Sequence, residues 1–172
     1  MPGSPISGSP PSGSPGSGSP DSDWPPPGQL IPHAGAMVLL SRVRAHDESR
    51  TVCEIDVDAL PLFRDERGCV PAWLGLEFMA QCVAAHAGLV GRLAGEPPKI
   101  GLLVGSRRVR FHRAMYTAGQ CLSVSARRTW GQDSGLVAFE CAIDDARTDE
   151  RLAEGRLNCF MPKDAADLED IL

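Results

Sequence analysis

The sequence predicts a single α+β domain in which an antiparallel sheet wraps one long helix, and three observations lead there. First, 172 residues suit one hydrophobic core, because chains much beyond about 250 residues tend to split into domains. Second, the stretch AWLGLEFMAQCVAAHAGLVGRL (Ala72–Leu93) is apolar nearly all round, which marks a helix covered on most of its faces. Third, the segments flanking it read as strands, a hairpin before the helix and four strands after it, and that order suits a sheet closing over a helix.

Taken from the N-terminus, Met1 to about Gly28 is almost wholly Gly, Ser and Pro, which offers too little apolar surface to offset the entropy of ordering. A disordered tail is expected over residues 1–28, a folded domain over 29–163 and an acidic tail over 164–172. Met37–Val43 and Thr51–Val57 read as a strand pair joined by the polar turn AHDESR. A loop rich in charge and glycine, Pro61–Val70, leads to Pro71, which is expected to open the helix, and Gly95 to end it. Ile100–His112, Cys121–Thr129, Leu136–Ile143 and Arg151–Phe160 complete the set of strands, separated by glycine-containing or charged turns. One sheet covers only one side of such a helix, so a second copy of the chain is expected to close the other side and form a homodimer.

Composition narrows the function. A net charge of -5 argues against nucleic-acid binding, which needs clustered Lys and Arg to neutralise phosphates. No uninterrupted apolar run is long enough to span a bilayer and no secretory signal pattern opens the chain, so a cytoplasmic address is expected. The six cysteines are scattered without a Cys-x-x-Cys pair and read as reduced, with no metal site and no dissociable cofactor expected.

Glu77 is the lone charge between Ala72 and Val90. A carboxyl group buried there is disfavoured in its charged form, the setting in which a glutamic acid serves as a general acid near neutral pH. Gln81 lies one turn on along the same stripe, placed either to orient Glu77 or to bond a partner's backbone. His86 falls on the opposite side of the helix and is read as a packing residue. The amides of Ala72 and Trp73 at the helix start offer an electropositive spot for a carbonyl or enolate oxygen. In GSRRVRFHR, Arg107, Arg108, Arg110 and Arg113 form the main cluster of positive charge, suited either to phosphates or to solvent; strand alternation would send half of them to each face.

VPAWLGLEFMAQ (Val70–Gln81) resembles the central-helix motif of the FabA/FabZ-type 3-hydroxyacyl-[acyl-carrier-protein] dehydratases, in which a proline starts the helix and Leu-Glu-x-Met-Ala-Gln follows. IPHAGAMVLLSRV (Ile31–Val43) is similar to their LPHR-x-P-x-LLVDRV opening, and GSRRVRFHR (Gly105–Arg113) to a later G-x-x-x-VRF-R-R strand. The closest likeness is to the ApeP-like branch of aryl-polyene pathways. The resemblance implies a hotdog fold, sites at a dimer interface, and an acyl chain on the phosphopantetheine of an acyl carrier protein. It gives Glu77 the acidic place in a His/acid pair, and it draws Gly105, Arg107 and His112 toward the substrate. It also shows departures: LFRDERGCVP stands where the Gly-His-Phe-Pro-Gly turn would supply the histidine, Ala72 replaces a glycine, and Ser41 replaces an aspartate. The base is then His33, His112 or neither, with His33 preferred. The activity expected is dehydration of a 3-hydroxyacyl thioester; the alternatives are an acyl thioesterase of the same fold, and a partner subunit that completes a heterodimeric dehydratase with a FabZ-like chain.

Overall fold

The computed structural model describes residues 24–96, 101–131 and 135–162. Six strands form one antiparallel sheet in the order β1-β2-β6-β7-β8-β4: β1 (Arg42–His46), β2 (Arg50–Asp56), β4 (Leu102–Phe111), β6 (Cys121–Trp130), β7 (Gly135–Asp145) and β8 (Arg151–Met161). A short pair, β3 (Val70–Pro71) with β5 (Met115–Tyr116), sits beside it. One long helix, α1 (Gly75–Leu93), packs against β6, β2 and β7.

Side-chain alternation explains why the sheet holds this helix. Cys53 and Ile55 on β2, Leu122, Val124 and Ala126 on β6, Phe139 and Ile143 on β7, and Leu157 on β8 all turn inward and are buried. They meet Phe78, Met79, Cys82, Ala85 and Leu89 of α1. Full burial of each larger member contributes about 1.5–3 kcal/mol, which anchors the helix to the sheet. The stretch Ala72–Leu93, interrupted by Glu77, Gln81, His86 and Arg92, is long and apolar enough to cross a membrane by length and composition, and 67% of its most apolar window is buried within this fold.

Three expectations shift in detail and one holds. MVLL (Met37–Leu40) is not strand: Gly35–Met37 makes a 3-10 turn and the first strand begins at Arg42, because the Gln81 side chain takes the Met37 carbonyl and the Leu39 amide. Pro71 lies in β3, followed by a 3-10 turn over Ala72–Leu74 before α1 opens at Gly75. The helix ends as expected at Gly95, whose φ of +73° carries a Schellman cap in which the Glu96 amide donates to Gly91 O and the Gly95 amide to Arg92 O. Finally, the ordered fold starts before Gln29. Trp24 packs on the core and edge-on against His46, since an indole supplies enough apolar area to tie down a proline-rich segment. The remainder of the expected N-terminal tail, residues 1–23, and the acidic C-terminal segment lie outside the described residues.

Gly88 fixes the entry segment against the helix. A Cβ there would lie 2.2 Å from Leu30 O, so only glycine permits this approach, and the chain reaches His33 three residues beyond that contact.

Candidate active site

Glu77 stands in the first turn of α1, where the helix dipole favours negative charge. Gln81, fully buried one turn later, holds the carboxylate: its Nε2 donates to Glu77 Oε1 at 2.9 Å and to Met37 O at 2.8 Å, while its Oε1 accepts the Leu39 amide at 2.9 Å. One amide side chain thus joins the helix, the loop before β1 and the carboxylate. The same Glu77 oxygen lies 3.2 Å from His33 Nε2. His33 Nδ1 is buried and has no hydrogen-bond partner among the described residues.

Glu77 is not the fully buried carboxyl expected from its apolar neighbourhood. Its side chain is 35% exposed and that of His33 31%, because the sheet covers the opposite side of α1 and leaves this face open. The pair is therefore reachable from solvent while its orientation is set from beneath by Gln81.

The other expected residues are spread more widely. Trp73, in the 3-10 turn one turn before Glu77, is largely exposed. The Ala72 amide is not open to an oxyanion: it donates to Ala114 O at 2.9 Å, and Ala72 O accepts the Tyr116 hydroxyl at 3.3 Å. The short β3–β5 pairing uses the donor that the sequence offered to substrate. His112 lies past the end of β4, where its amide donates to Leu152 O and its Nε2 is 3.9 Å from Glu154 Oε1. Gly105 sits in β4 opposite Asn158. Arg107 turns to the sheet face away from the helix, and Arg113 pairs with Glu150. Of the two candidate bases, only His33 contacts Glu77 among the described residues.

His86 packs as expected: it is buried, edge-on to Phe139, with its Nδ1 2.9 Å from Thr51 Oγ1. That hydroxyl is also 2.7 Å from His46 Nδ1, a bridge between two imidazoles that nothing in the linear pattern announced. Cys82 offers no nucleophile, since contact with the Cys53 thiol and full burial hold its own thiol well above the usual value. Sequence reading also missed the backbone of Met37 and Leu39 as partners of Gln81, because a main-chain group carries no residue-type signal.

A family model for the ApeP-like dehydratases matches residues 25–170. The chain belongs to the ApeP-like family. Among solved structures it is similar to the dehydratase heterocomplex ApeI:P from Xenorhabdus doucetiae, at 28% identity and a TM-score of 0.79 over 86% of this chain and 97% of that one. The PaaI protein of the E. coli phenylacetic acid degradation operon matches at 14% identity and a TM-score of 0.54, over 69% of this chain and 81% of that one. A hypothetical thioesterase from Streptococcus pneumoniae TIGR4, solved with coenzyme A, matches at 9% identity and a TM-score of 0.55, over 70% of this chain and 84% of that one. The last two likenesses concern the fold alone, and they agree with the ApeI:P likeness that this ApeP-like chain has the hotdog architecture. No curated protein matches it.

Proposed function

We propose that this ApeP-like chain dehydrates a 3-hydroxyacyl thioester borne by an acyl carrier protein, with Glu77 as acid and His33 as base. The observation that carries this reading is the 3.2 Å contact between His33 Nε2 and Glu77 Oε1. Loss of water needs a base at the α-carbon and an acid at the β-hydroxyl, and the reaction balances if the pair starts with one proton on Glu77. His33 Nε2 accepts the α-proton, the Cβ–O bond breaks as Glu77 protonates the leaving hydroxyl, and the pair ends as imidazolium and carboxylate. Transfer of the proton back across the contact restores the starting state. Gln81 keeps the carboxylate in register, and the 3-10 turn at Trp73 borders the place where the thioester would lie. Ala72, Gly105, Arg107 and His112 have no part in this reading of the site.

The similarity to a dehydratase heterocomplex favours a dimer with a second dehydratase subunit over two copies of this chain; our reading takes that subunit to be FabZ-like and the setting to be cytoplasmic. That partner would lie over the open side of α1. The second reading, a subunit that only completes its partner, is supported by the absence of the Gly-His-Phe-Pro-Gly turn. It is opposed by the presence of a histidine and a glutamate in direct contact within one chain.

The test is incubation of the protein, alone and with a FabZ-like subunit, with 3-hydroxyacyl carrier protein, following the acyl chain by mass spectrometry. We expect loss of water, reduced about 10²–10⁴-fold by Glu77→Gln and by His33→Ala, the range typical for removing a general acid or base. Loss of the acyl chain instead would mean a thioesterase. Unchanged turnover in both variants of the heterodimer would leave catalysis to the partner.

A further inference from the structure

The sheet face turned away from α1 carries a row of charge that the fold does not need. Arg50 on β2 stands opposite Arg127 on β6, Arg127 opposite Glu140 on β7, Glu140 opposite Arg156 on β8, and Arg156 opposite Arg107 on β4. Five adjacent strands spaced about 4.8 Å apart make this row about 19 Å long. Arg108, Arg110 and Arg151 border it, so that seven arginines and only two glutamates, Glu140 and Glu154, line one groove in a chain whose net charge is -5.

Two features of this face work against stability. Arg50 with Arg127, and Arg156 with Arg107, are like charges directly opposite one another across strands, an unfavourable pairing. Arg108 adopts φ +56°, a left-handed conformation that a side chain with a Cβ resists. That residue lies where the register of β4 shifts between Arg107 and Arg110. In a regular strand Arg107 and Arg108 would point to opposite faces; the irregularity brings Arg107, Arg108 and Arg110 to the same groove while Val109 stays against Gly155. Only Arg110, Arg127 and Arg151 of the seven have carboxylate partners among the described residues; Arg50, Arg107, Arg108 and Arg156 have none.

We propose that this groove docks an acidic protein segment, recognised through carboxylates spread along the row. Planar guanidinium forks match carboxylates well, and exposed arginines along an open face suit many screened contacts with a broad partner better than tight capture of one small anion. Nucleic acid fits poorly, because no aromatic side chain lines the groove for base stacking and the rest of the chain is acidic. The docking surface stands whether or not Glu77 is catalytic, since it lies on the opposite side of the sheet from α1.

The probe is a synthetic glutamate-rich helical peptide of about 16 residues, roughly 24 Å long and so able to cover the row. Its binding to the full chain is followed by calorimetry at low salt and by amide chemical shifts, with tripolyphosphate and a short DNA duplex as competing probes. We expect shifts confined to the groove around Ser125, Ala142 and Gly155, and binding weakened at least about 10-fold by Arg50→Glu/Arg156→Glu but less than about twofold by Arg67→Glu/Arg92→Glu, exposed arginines outside the groove. Equal weakening in both double variants, shifts elsewhere on the surface, or tighter binding of tripolyphosphate or duplex than of the peptide would each overturn the proposal.

Discussion

At the opening turn of α1, His33 meets a carboxylate on an open face; two and a half turns along, His86 meets a hydroxyl in a sealed one. Each imidazole is held by one polar side chain, but the surroundings of the two clusters differ. Around Glu77, the buried Gln81 amide supplies rigidity from below while solvent reaches the acid and base from above. Around His86, the fully buried Thr51 bridges two rings, and Trp24, Phe139 and His46 pack edge-on around them. The difference teaches what makes a histidine beside this helix chemically useful: a titratable partner within hydrogen-bond reach and a path to solvent. His86, 2% exposed and packed against Thr51 and Phe139, has no such path.

The largest effect that would sharpen this contrast is on stability. Thr51→Val keeps the shape of the side chain and removes the hydroxyl, so that the Nδ1 atoms of His46 and His86 lose their shared partner. Stranding buried polar groups costs about 1–3 kcal/mol each, and we expect a loss of about 2 kcal/mol in the urea midpoint analysis. Turnover per folded molecule should be unchanged. A fall in turnover without loss of stability would erase the distinction between the two clusters and give the Thr51 bridge a role in catalysis.

Gln81→Leu should move both quantities, and less. The leucine fills much of the same volume but releases Glu77, the Met37 carbonyl and the Leu39 amide. We expect a stability loss of about 1–2 kcal/mol and a fall in turnover of roughly 10-fold, carried by kcat rather than KM because the carboxylate is still present but no longer aligned. Gln81→Glu, which retains an acceptor for Leu39, should recover part of the stability and none of the turnover, since it sets a second carboxyl group beside Glu77. Full activity in Gln81→Leu would show that the helix dipole and His33 alone align the acid.

Much of this architecture was legible from residue pattern. The apolar run from Ala72 and the alternation in β2, β6, β7 and β8 specify a sheet over a helix, because burial on one face leaves a period that can be read. Glu77 was visible as the single charge in that run, and Gln81 by its spacing. The exposure of Glu77 was not, because it depends on which side of the helix the sheet covers. MVLL looked like a strand for the ordinary reason that its residues favour one, but its backbone groups are taken by a side chain 42 and 44 residues away in sequence. The arginine row was hidden for a related reason: strand register joins residues from Arg50 to Arg156, and the irregular backbone at Arg108 overrides the alternation that pattern reading assumes.

The smallest effect separates the clusters by pH. Burial holds His46 below the ordinary imidazole value of 6.5, against the opposing pull of the neighbouring Asp47 carboxylate, and His86 and Thr51 face it from α1 and β2. The unfolded chain therefore takes up this proton before the folded one does as the pH falls. Stability from this site is complete above about pH 6.5, declines as the pH drops from there toward the folded-state value, and changes no further below it. We expect urea midpoints to fall modestly between about pH 7.5 and 5.5, and His46→Gln, which keeps a polar group near Thr51, to flatten that slope. The imidazole signals of His46, followed by NMR over the same range, should titrate below those of an unfolded-chain histidine. A wild-type slope retained in His46→Gln would assign the pH dependence to another group and leave the sealed cluster without a titrating member.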